Sequence, residues 1–232
     1  MTKIPGFEST DYACSGGQVV WAGQSAVTDH PRNARKPWQP ERTTFDATRL
    51  RAGAQMALRE LENAPVKGLL LWLTGQSLPF PLNHAKLRFD AVRAALERHD
   101  LAAFEAAALR VLGLGTGLTP SGDDFVGGIF FAVAHLPGSC FGPTERADLP
   151  AAIVRIRHAA QTATNPISAA LLDDLMAGQS YRALHEMLAA LHSGDLREIG
   201  AAQGRLLEVG ASSGADMLAG LLLALLTLPP QN

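Results

Sequence analysis

The sequence predicts a mainly α-helical protein: a helical bundle with buried central helices, preceded by a small irregular N-terminal segment with short β structure. From about residue 47 onward, apolar residues recur at the spacing of helices, and Gly, Pro, Ser and Asp stand where helices start or stop. The central predicted helices are also apolar nearly all round, which is typical of helices buried on every side.

The first 46 residues are rich in Gly, Pro, Ser and Asn and show no sustained helical period. Within them, only Gln18–Ala22 has the composition of a strand. We therefore divide the chain into an irregular, short-β segment over residues 1–46 and a helical domain over residues 47–232.

The helical domain begins with a predicted helix over residues 47–63. The apolar run at residues 66–74 fits a buried strand as well as a helix, because periodicity does not separate the two in so short a segment. Start and stop residues then delimit eight more predicted helices, at residues 84–98, 101–112, 121–136, 144–163, 166–177, 181–192, 195–209 and 213–228.

Composition excludes several classes of protein. The formal charge of −2 provides no general attraction to phosphate backbones, so we expect no nucleic-acid partner. Two cysteines are too few for a disulfide scaffold. The N-terminus lacks the apolar core of a signal peptide, and the longest apolar run, Met217–Leu228, is shorter than the ~20 residues that span a bilayer. We expect a cytoplasmic protein that does not cross a membrane.

Two stretches of the helical domain repeat each other. Residues 119–132 align with residues 211–224, and in each copy Ser-Gly-x-Asp leads into an apolar helix. Gly128 aligns with Gly220, so each helix offers a small residue where another backbone can approach closely. We predict that the two helix starts converge in space.

Both helix starts have the pattern of a capping box, in which a first serine and a carboxylate three residues later satisfy free backbone N–H groups. Ser121 and Asp124 form one such pair, and Ser213 and Asp216 form the other. Asp123 has no counterpart in the second copy, where Ala215 stands, so capping does not account for it. Two adjacent carboxylates at one helix start favour a cation or a proton, and this makes Mg²⁺ at Asp123 and Asp124 an open alternative.

A glycine-rich loop precedes the first helix start. Gly113, Gly115 and Gly117 alternate with Leu114 and Thr116, which lets a ligand approach the backbone and directs N–H groups at anionic oxygen. The loop has neither a Walker lysine nor the preceding strand of a dinucleotide fingerprint. It therefore predicts a site for a phosphate or carboxylate group.

A third polar cluster lies at residues 162–168, where Thr164 or Asn165 is positioned to cap the helix that follows Pro166. Taken with the other two motifs, GLGTGLTPSGDDFVGG and VGASSGADMLAGLLL, its sequence TNPISAALL resembles the AllH-like family over residues 101–228. That resemblance implies a subunit of an oxamate carbamoyltransferase, an enzyme of purine and allantoin catabolism that exchanges a carbamoyl group between carbamoyl phosphate and oxamate, with oxalurate as the other reactant. It also implies companion subunits of the FdrA and AllG types.

The resemblance carries the motif residues over to this chain. It covers Gly115, Gly117, residues 119–124, Ser168, Ser213, Gly214 and Asp216. From their chemistry we expect catalytic roles for Thr119, Ser121, Asp123 and Asp124. We expect substrate-binding roles for Gly115, Gly117, Gly122, Ser168, Ser213 and Asp216, and for Thr116 within the glycine-rich loop. The chain departs from the usual family pattern at Thr116, where proline is common, and at Ala211-Ser212, where His-Thr is common.

Two other functions fit the same residues. Asp123, Asp124 and Asp216 at two facing helix starts resemble the acidic sites of magnesium-dependent ADP-ribosylglycohydrolases, which predicts a hydrolase-like enzyme. Alternatively, the glycines serve only helix packing, and the chain is a non-catalytic assembly subunit.

Overall fold

The computed structural model describes residues 14–15, 18–19, 38, 40, 44–136 and 140–229. Strand β1 (Cys14–Ser15) pairs antiparallel with strand β2 (Gln18–Val19), and β2 lies at the start of the predicted Gln18–Ala22 patch. The rest of that patch and most of the predicted 1–46 segment lie outside the described residues. The chain divides between Gln39 and Pro40, and the compact unit over residues 40–232 contains the helices.

The mainly α-helical prediction is confirmed, and the described residues contain ten α-helices. They are α1 (Ala47–Glu62), α2 (Leu70–Leu73), α3 (Lys86–Glu97), α4 (Leu101–Leu109), α5 (Ser121–His135), α6 (Pro143–Ala163), α7 (Pro166–Met176), α8 (Arg182–Ser193), α9 (Leu196–Leu207) and α10 (Ser213–Leu226), with a 3-10 turn at Leu82–Ala85 before α3.

The ambiguous run at residues 66–74 contains the short helix α2. Gly68 and Gly75 flank that helix at φ angles of +57° and +79°, which is the left-handed region that favours glycine. These two turns leave room for only one helical turn between them. The segment is nevertheless buried at Leu69, Leu70 and Trp72, as its apolar composition predicts.

Helices α5 and α10 form the buried centre of the bundle, and both begin at the same end of it. A methyl group on Gly128 would stand 2.1 Å from the carbonyl oxygen of Met217, and one on Gly220 would stand 2.0 Å from that of Phe125. The partner residues are themselves equivalent in the repeat, so the crossing has approximate two-fold symmetry. The predicted close approach at the two glycines is confirmed.

The predicted capping boxes at the two serines are wrong. Helix α5 is preceded by Pro120 and α10 by Ser212, and neither residue makes a side-chain capping bond. The loop backbone takes over part of the capping: Gly122 N–H donates to the Leu114 carbonyl at 2.8 Å, and Gly214 N–H donates to the Val209 carbonyl at 3.0 Å. The serine hydroxyls are therefore left available for other contacts. At α7, by contrast, the Asn165 side chain does cap the helix.

In the part of the chain that the structure describes, every helix is too short or too polar to cross a membrane.

Candidate functional site

The starts of α5 and α10 meet, as the repeat predicts. Thr119 Oγ1 and Ser213 Oγ lie 2.7 Å apart, although 94 positions separate them in the sequence. The contact joins the residue just before Pro120 to the first residue of α10. It brings the two Ser-Gly-x-Asp motifs into one polar cluster inside an otherwise apolar bundle.

The hydroxyls and carboxylates of this cluster are arranged crosswise. Ser213, at the start of α10, and Thr119 lie beside the Asp124 carboxyl group of α5. In the opposite direction, Ser121 of α5 and Ser212 lie beside the Asp216 carboxyl group of α10. Each carboxylate thus lies beside a serine of the other motif. This exchange explains why the serines do not cap their own helices.

Asp216 is held in place by the segment before α2. Leu69 N–H donates to Asp216 Oδ1 at 2.7 Å, and a methyl group on Gly68 would stand only 2.4 Å from the same oxygen. Asp216 is completely buried, and its other oxygen, Oδ2, has no hydrogen-bond partner among the described residues. One side of this carboxylate is therefore anchored, and the other faces the cluster unpaired.

Asp124 shares that property: it is 5% exposed, and its Oδ2 also has no hydrogen-bond partner among the residues described. Burial raises the pKa of Asp124 to about 7, with a further increase from the nearby Asp216 charge and a partial decrease from the hydroxyls of Ser213 and Thr119. Burial likewise raises the pKa of Asp216 to about 6, while Leu69 N–H and the Ser121 and Ser212 hydroxyls lower it. Near neutral pH the pair therefore holds less negative charge than two exposed aspartates would.

Asp123 lies in a different environment from its neighbour. Its Oδ1 accepts a hydrogen bond from Gly113 N–H at 2.7 Å, and its Oδ2 accepts bonds from Thr164 Oγ1 and from Ser168 Oγ, the latter at 2.6 Å. Both oxygens of this buried carboxylate are occupied. Asp123 thereby links the glycine-rich loop to the end of α6 and the start of α7, and it brings the predicted site residue Ser168 into the same framework.

The glycine-rich loop is anchored at its base and exposed at its tip. Gly113, Gly115 and Gly117 have φ angles of +72°, +125° and +102°, and a methyl group on Gly115 would stand 2.5 Å from Ser121 N. Residues 116–118 are exposed, and the Asn165 side-chain amide donates to the Leu118 carbonyl at 2.8 Å.

The N–H groups of Gly115, Thr116 and Gly117 have no acceptor in the described part of the chain. They are free to donate to a ligand. Gly122 serves a different purpose: a methyl group there would stand 1.8 Å from the Val111 carbonyl oxygen, so this glycine packs α5 against the preceding turn.

Two residues near the cluster escaped the sequence analysis. Lys67 lies close enough to Asp216 to lower the pKa of that carboxyl, and the Asp124 charge adds to burial in raising the pKa of Tyr181. Lys67 and Tyr181 come from distant segments with no motif of their own. Only the tertiary fold places them at the two helix starts.

A protein site for a divalent metal ion needs several acidic or other oxygen ligands that lie close together. The described residues contain no group of three or more His, Cys, Asp or Glu side chains that could hold a metal ion. Asp123 uses both oxygens within the protein, whereas Asp124 and Asp216 each retain an unpaired oxygen. A cation would therefore find its acceptors at Asp124 and Asp216 rather than at Asp123 and Asp124.

The chain matches a described protein family. Residues 111–225, about half of the chain, match the family described as "Oxamate carbamoyltransferase subunit AllH". The matched stretch contains the glycine-rich loop, both Ser-Gly-x-Asp motifs and the Ser168 segment. No curated protein and no solved structure matches the chain.

Proposed function

The chain belongs to the AllH-like family, and on that premise we propose that it is a subunit of a carbamoyltransferase that binds an anionic substrate where α5 and α10 begin. The substrate is of the carbamoyl phosphate or oxamate kind. The observation that carries the proposal is the buried polar cluster itself. An apolar bundle gains no stability from two carboxylates with unpaired oxygens, because each unpaired buried polar group costs about 1–3 kcal/mol.

The glycine-rich loop supplies the anion-binding part of the proposed site. Gly115, Thr116 and Gly117 offer backbone N–H groups beside the start of α5, where the helix dipole also favours negative charge. The hydroxyls of Thr119, Ser121 and Ser213 add donors deeper in the cluster. A phosphate or carboxylate group bound here would accept hydrogen bonds from these neutral donors.

Carbamoyl transfer fits this arrangement. The amide nitrogen of oxamate attacks the carbamoyl carbon, a C–N bond forms, the C–O bond to phosphate breaks, and the amide proton passes to a base. Asp124 is our proposed base, because burial and Asp216 raise its pKa to about 7, near the value at which proton transfer at neutral pH is efficient. Backbone and hydroxyl donors stabilise the charge that develops on the carbamoyl oxygen.

We assign Asp123 the role of a positioning residue. Because Gly113, Thr164 and Ser168 occupy its oxygens, it acts on the reaction by fixing the loop relative to α5 and α7. Ser168 shares this role, and Gly122 sets the packing of the helix start. FdrA-type and AllG-type subunits are the proposed partners, since the matched family is described as a subunit of a carbamoyltransferase.

The experiment measures binding of carbamoyl phosphate and oxamate to the full chain by calorimetry, in the parent and in Thr119→Val. Removing the Thr119 hydroxyl breaks the contact with Ser213 while keeping the side-chain shape. We expect affinity to fall about 2- to 12-fold, which corresponds to the loss of one hydrogen bond. Thr162→Val is the control, because Thr162 is exposed and bonds only within its own helix.

Two other results would contradict the proposal. Mg²⁺ binding that disappears in Asp216→Asn, without any binding of the two anions, would favour the hydrolase-like alternative. If neither anion binds to the folded chain, and the complex reconstituted with FdrA-type and AllG-type partners keeps its activity in Thr119→Val, the chain is an assembly subunit.

A further inference from the structure

Large apolar side chains are exposed at the end of the bundle that carries the glycine-rich loop. Leu118 at the loop tip is 69% exposed, and Ile167 at the start of α7 is 54% exposed. Leu87 of α3 and Leu109 of α4 are exposed as well. Single exposed leucines are ordinary in soluble proteins, whereas several at one end of a bundle are typical of a surface that another molecule covers.

Contacts between neighbouring residues place these side chains around the loop. The Arg88 guanidinium of α3 donates to the Arg110 carbonyl at the end of α4 at 3.1 Å, and each arginine is adjacent in sequence to an exposed leucine. A methyl group on Gly113 would stand 2.2 Å from the Ala163 carbonyl oxygen, so the end of α4 lies beside the end of α6 and the start of α7. We define the loop-end rim as Leu87, Leu109, Leu118 and Ile167 together with Arg88 and Arg110.

One side-chain amide fixes the two apolar residues nearest the loop. The Asn165 amide nitrogen donates to the Leu118 carbonyl at 2.8 Å, and the amide oxygen accepts from Ile167 N–H at 3.1 Å. The backbone under both side chains is therefore ordered before any partner binds. Such a surface loses less conformational entropy on association than a mobile one.

The loop that carries Leu118 is longer than helix packing requires. In the first motif, Gly122 packs on the carbonyl oxygen of Val111, eleven positions earlier. In the second motif, Gly214 packs in the same way on the carbonyl oxygen of Leu206, only eight positions earlier. The shorter turn is sufficient to start an apolar helix, so the additional residues of the first turn are available for another role.

The charge of the rim indicates the chemistry of its partner. The Arg88 and Arg110 side chains are exposed, and neither forms an ion pair with a residue that the structure describes. Asp90 and Glu105, on the same two helices, already form ion pairs with other cations. A complementary surface therefore carries apolar side chains flanked by carboxylates.

We propose that the loop-end rim binds a companion subunit of the carbamoyltransferase, through a face with apolar side chains flanked by carboxylates. The family that the chain matches is described as a subunit, which favours a protein partner. The inference rests on the proposed function for the identity of that partner. The companion covers the loop tip, where the N–H groups of Gly115, Thr116 and Gly117 are free, and it excludes water from the proposed anion site.

The test measures binding of purified FdrA-type and AllG-type subunits to the full chain, in the parent and in Leu118→Ser. The Leu118 side chain is exposed and its bond to Asn165 uses the backbone, so the variant keeps the fold. Affinity should fall at least about 5-fold, as for an apolar anchor of an interface. Leu196→Ser is the matched control, because Leu196 is 51% exposed at the start of α9, whose other end leads to the second motif.

Arg110→Glu tests the charge of the rim. Carboxylates of the companion would then face a like charge, so affinity should fall at least about 10-fold at low salt, and the loss should shrink as the ionic strength rises. Arg197→Glu is the control: Arg197 is exposed beside Leu196 and forms no ion pair within the described part of the chain.

The outcomes separate this inference from the proposed function. Unchanged binding of the companions to both rim variants would overturn the inference and leave the proposed partners in place. If neither companion binds the parent, both are wrong, while calorimetry with carbamoyl phosphate tests the anion site independently. A photoreactive phenylalanine analogue at position 118 identifies the occupant: cross-links to a companion support the inference, and cross-links to a second copy or to residues 1–37 of the same chain overturn it. Binding of the parent to anionic lipid vesicles that is lost in Leu118→Ser would also overturn it, in favour of a membrane surface.

Discussion

Gly128 of α5 lies against the backbone of Met217 in α10, and Gly220 of α10 lies against the backbone of Phe125 in α5. The two glycines occupy equivalent positions of the repeat, and each contacts the backbone of the other helix. This crossing sets the distance between the two helix starts. The contact of 2.7 Å between Thr119 and Ser213 lies at the end of the same two helices. Helix packing and site geometry therefore depend on the same pair of small residues.

Gly128→Ala and Gly220→Ala should each destabilise the protein by about 1–3 kcal/mol, because the added methyl would stand about 2 Å from a carbonyl oxygen and α5 and α10 would have to separate. The free energy of unfolding, measured by urea denaturation, checks this. Gly204→Ala in α9 is the matched control: its side-chain position is open, so alanine should stabilise the helix by about 0.5–1 kcal/mol. Equal effects at all three glycines would contradict the close crossing.

Asp123→Asn should cost about 2–4 kcal/mol of stability, because three donors would lose a charged acceptor and the new NH₂ group would face one of them. Asp173→Asn removes a carboxylate that pairs with Arg157 on the surface, where both side chains are roughly half exposed, and should cost less than about 1 kcal/mol. Thermal unfolding of both variants at one pH makes the comparison. If Asp123→Asn loses no more stability than Asp173→Asn, the contacts of Asp123 with the loop, α6 and α7 do not stabilise the fold.

Deprotonation of Asp124 and Asp216 should lower the stability of the folded protein as the pH rises from about 4 to about 7. The pKa of Asp124 is raised from 3.8 to about 7 and that of Asp216 to about 6, so the folded state binds protons in this range that the unfolded state has released. Asp123, Asp216 and Tyr181 are titratable groups near Asp124, and Asp216 in turn lies near both Asp124 and Lys67. Asp124→Asn removes one of the two titrations.

The stability difference between Asp124→Asn and the parent should therefore grow with pH, by at most about 1.4 kcal/mol per unit, and level off above pH 7. Burial lowers the pKa values of His135 and His185, so their effect on stability has the opposite sign. Both histidines are present in the parent and in the variant, so their contributions cancel when the two stabilities are subtracted. Urea titrations from pH 4 to 8 measure it. A difference that stays constant over this range would mean that Asp124 titrates normally.

Gly68→Ala should damage the site as well as the fold. Gly68 has a positive φ, and an added methyl would stand 2.4 Å from Asp216 Oδ1, which would displace the carboxylate from Leu69 N–H. Gly75→Ala is the control, because it has a similar φ of +79° with no atom nearby and brings only the backbone strain of about 1–2 kcal/mol. We expect oxamate affinity to fall in Gly68→Ala and to stay near the parent value in Gly75→Ala. If oxamate affinity falls equally in both variants, backbone strain and not displacement of the Asp216 carboxylate is the cause.

The sequence by itself predicted most of the helices and the meeting of the two motifs. Capping residues such as Asn165 and the apolar periodicity locate most helix ends within a few residues, because both are local properties of the chain. The repeat predicts that Thr119 and Ser213 approach, since equivalent apolar helices with equivalent glycines pack on each other.

Only the tertiary structure decided what each polar side chain contacts. Ser121 and Ser213 fit a capping box locally, yet loop carbonyls bond the adjacent glycines, and each serine lies beside the carboxylate of the opposite helix. Adjacent in sequence, Asp123 and Asp124 differ because successive residues of a helix point about 100° apart. The Asp123 carboxylate therefore accepts from three donors, whereas Asp124 lies near the Asp216 charge. Two of the three donors, and Asp216, belong to segments more than 40 positions away.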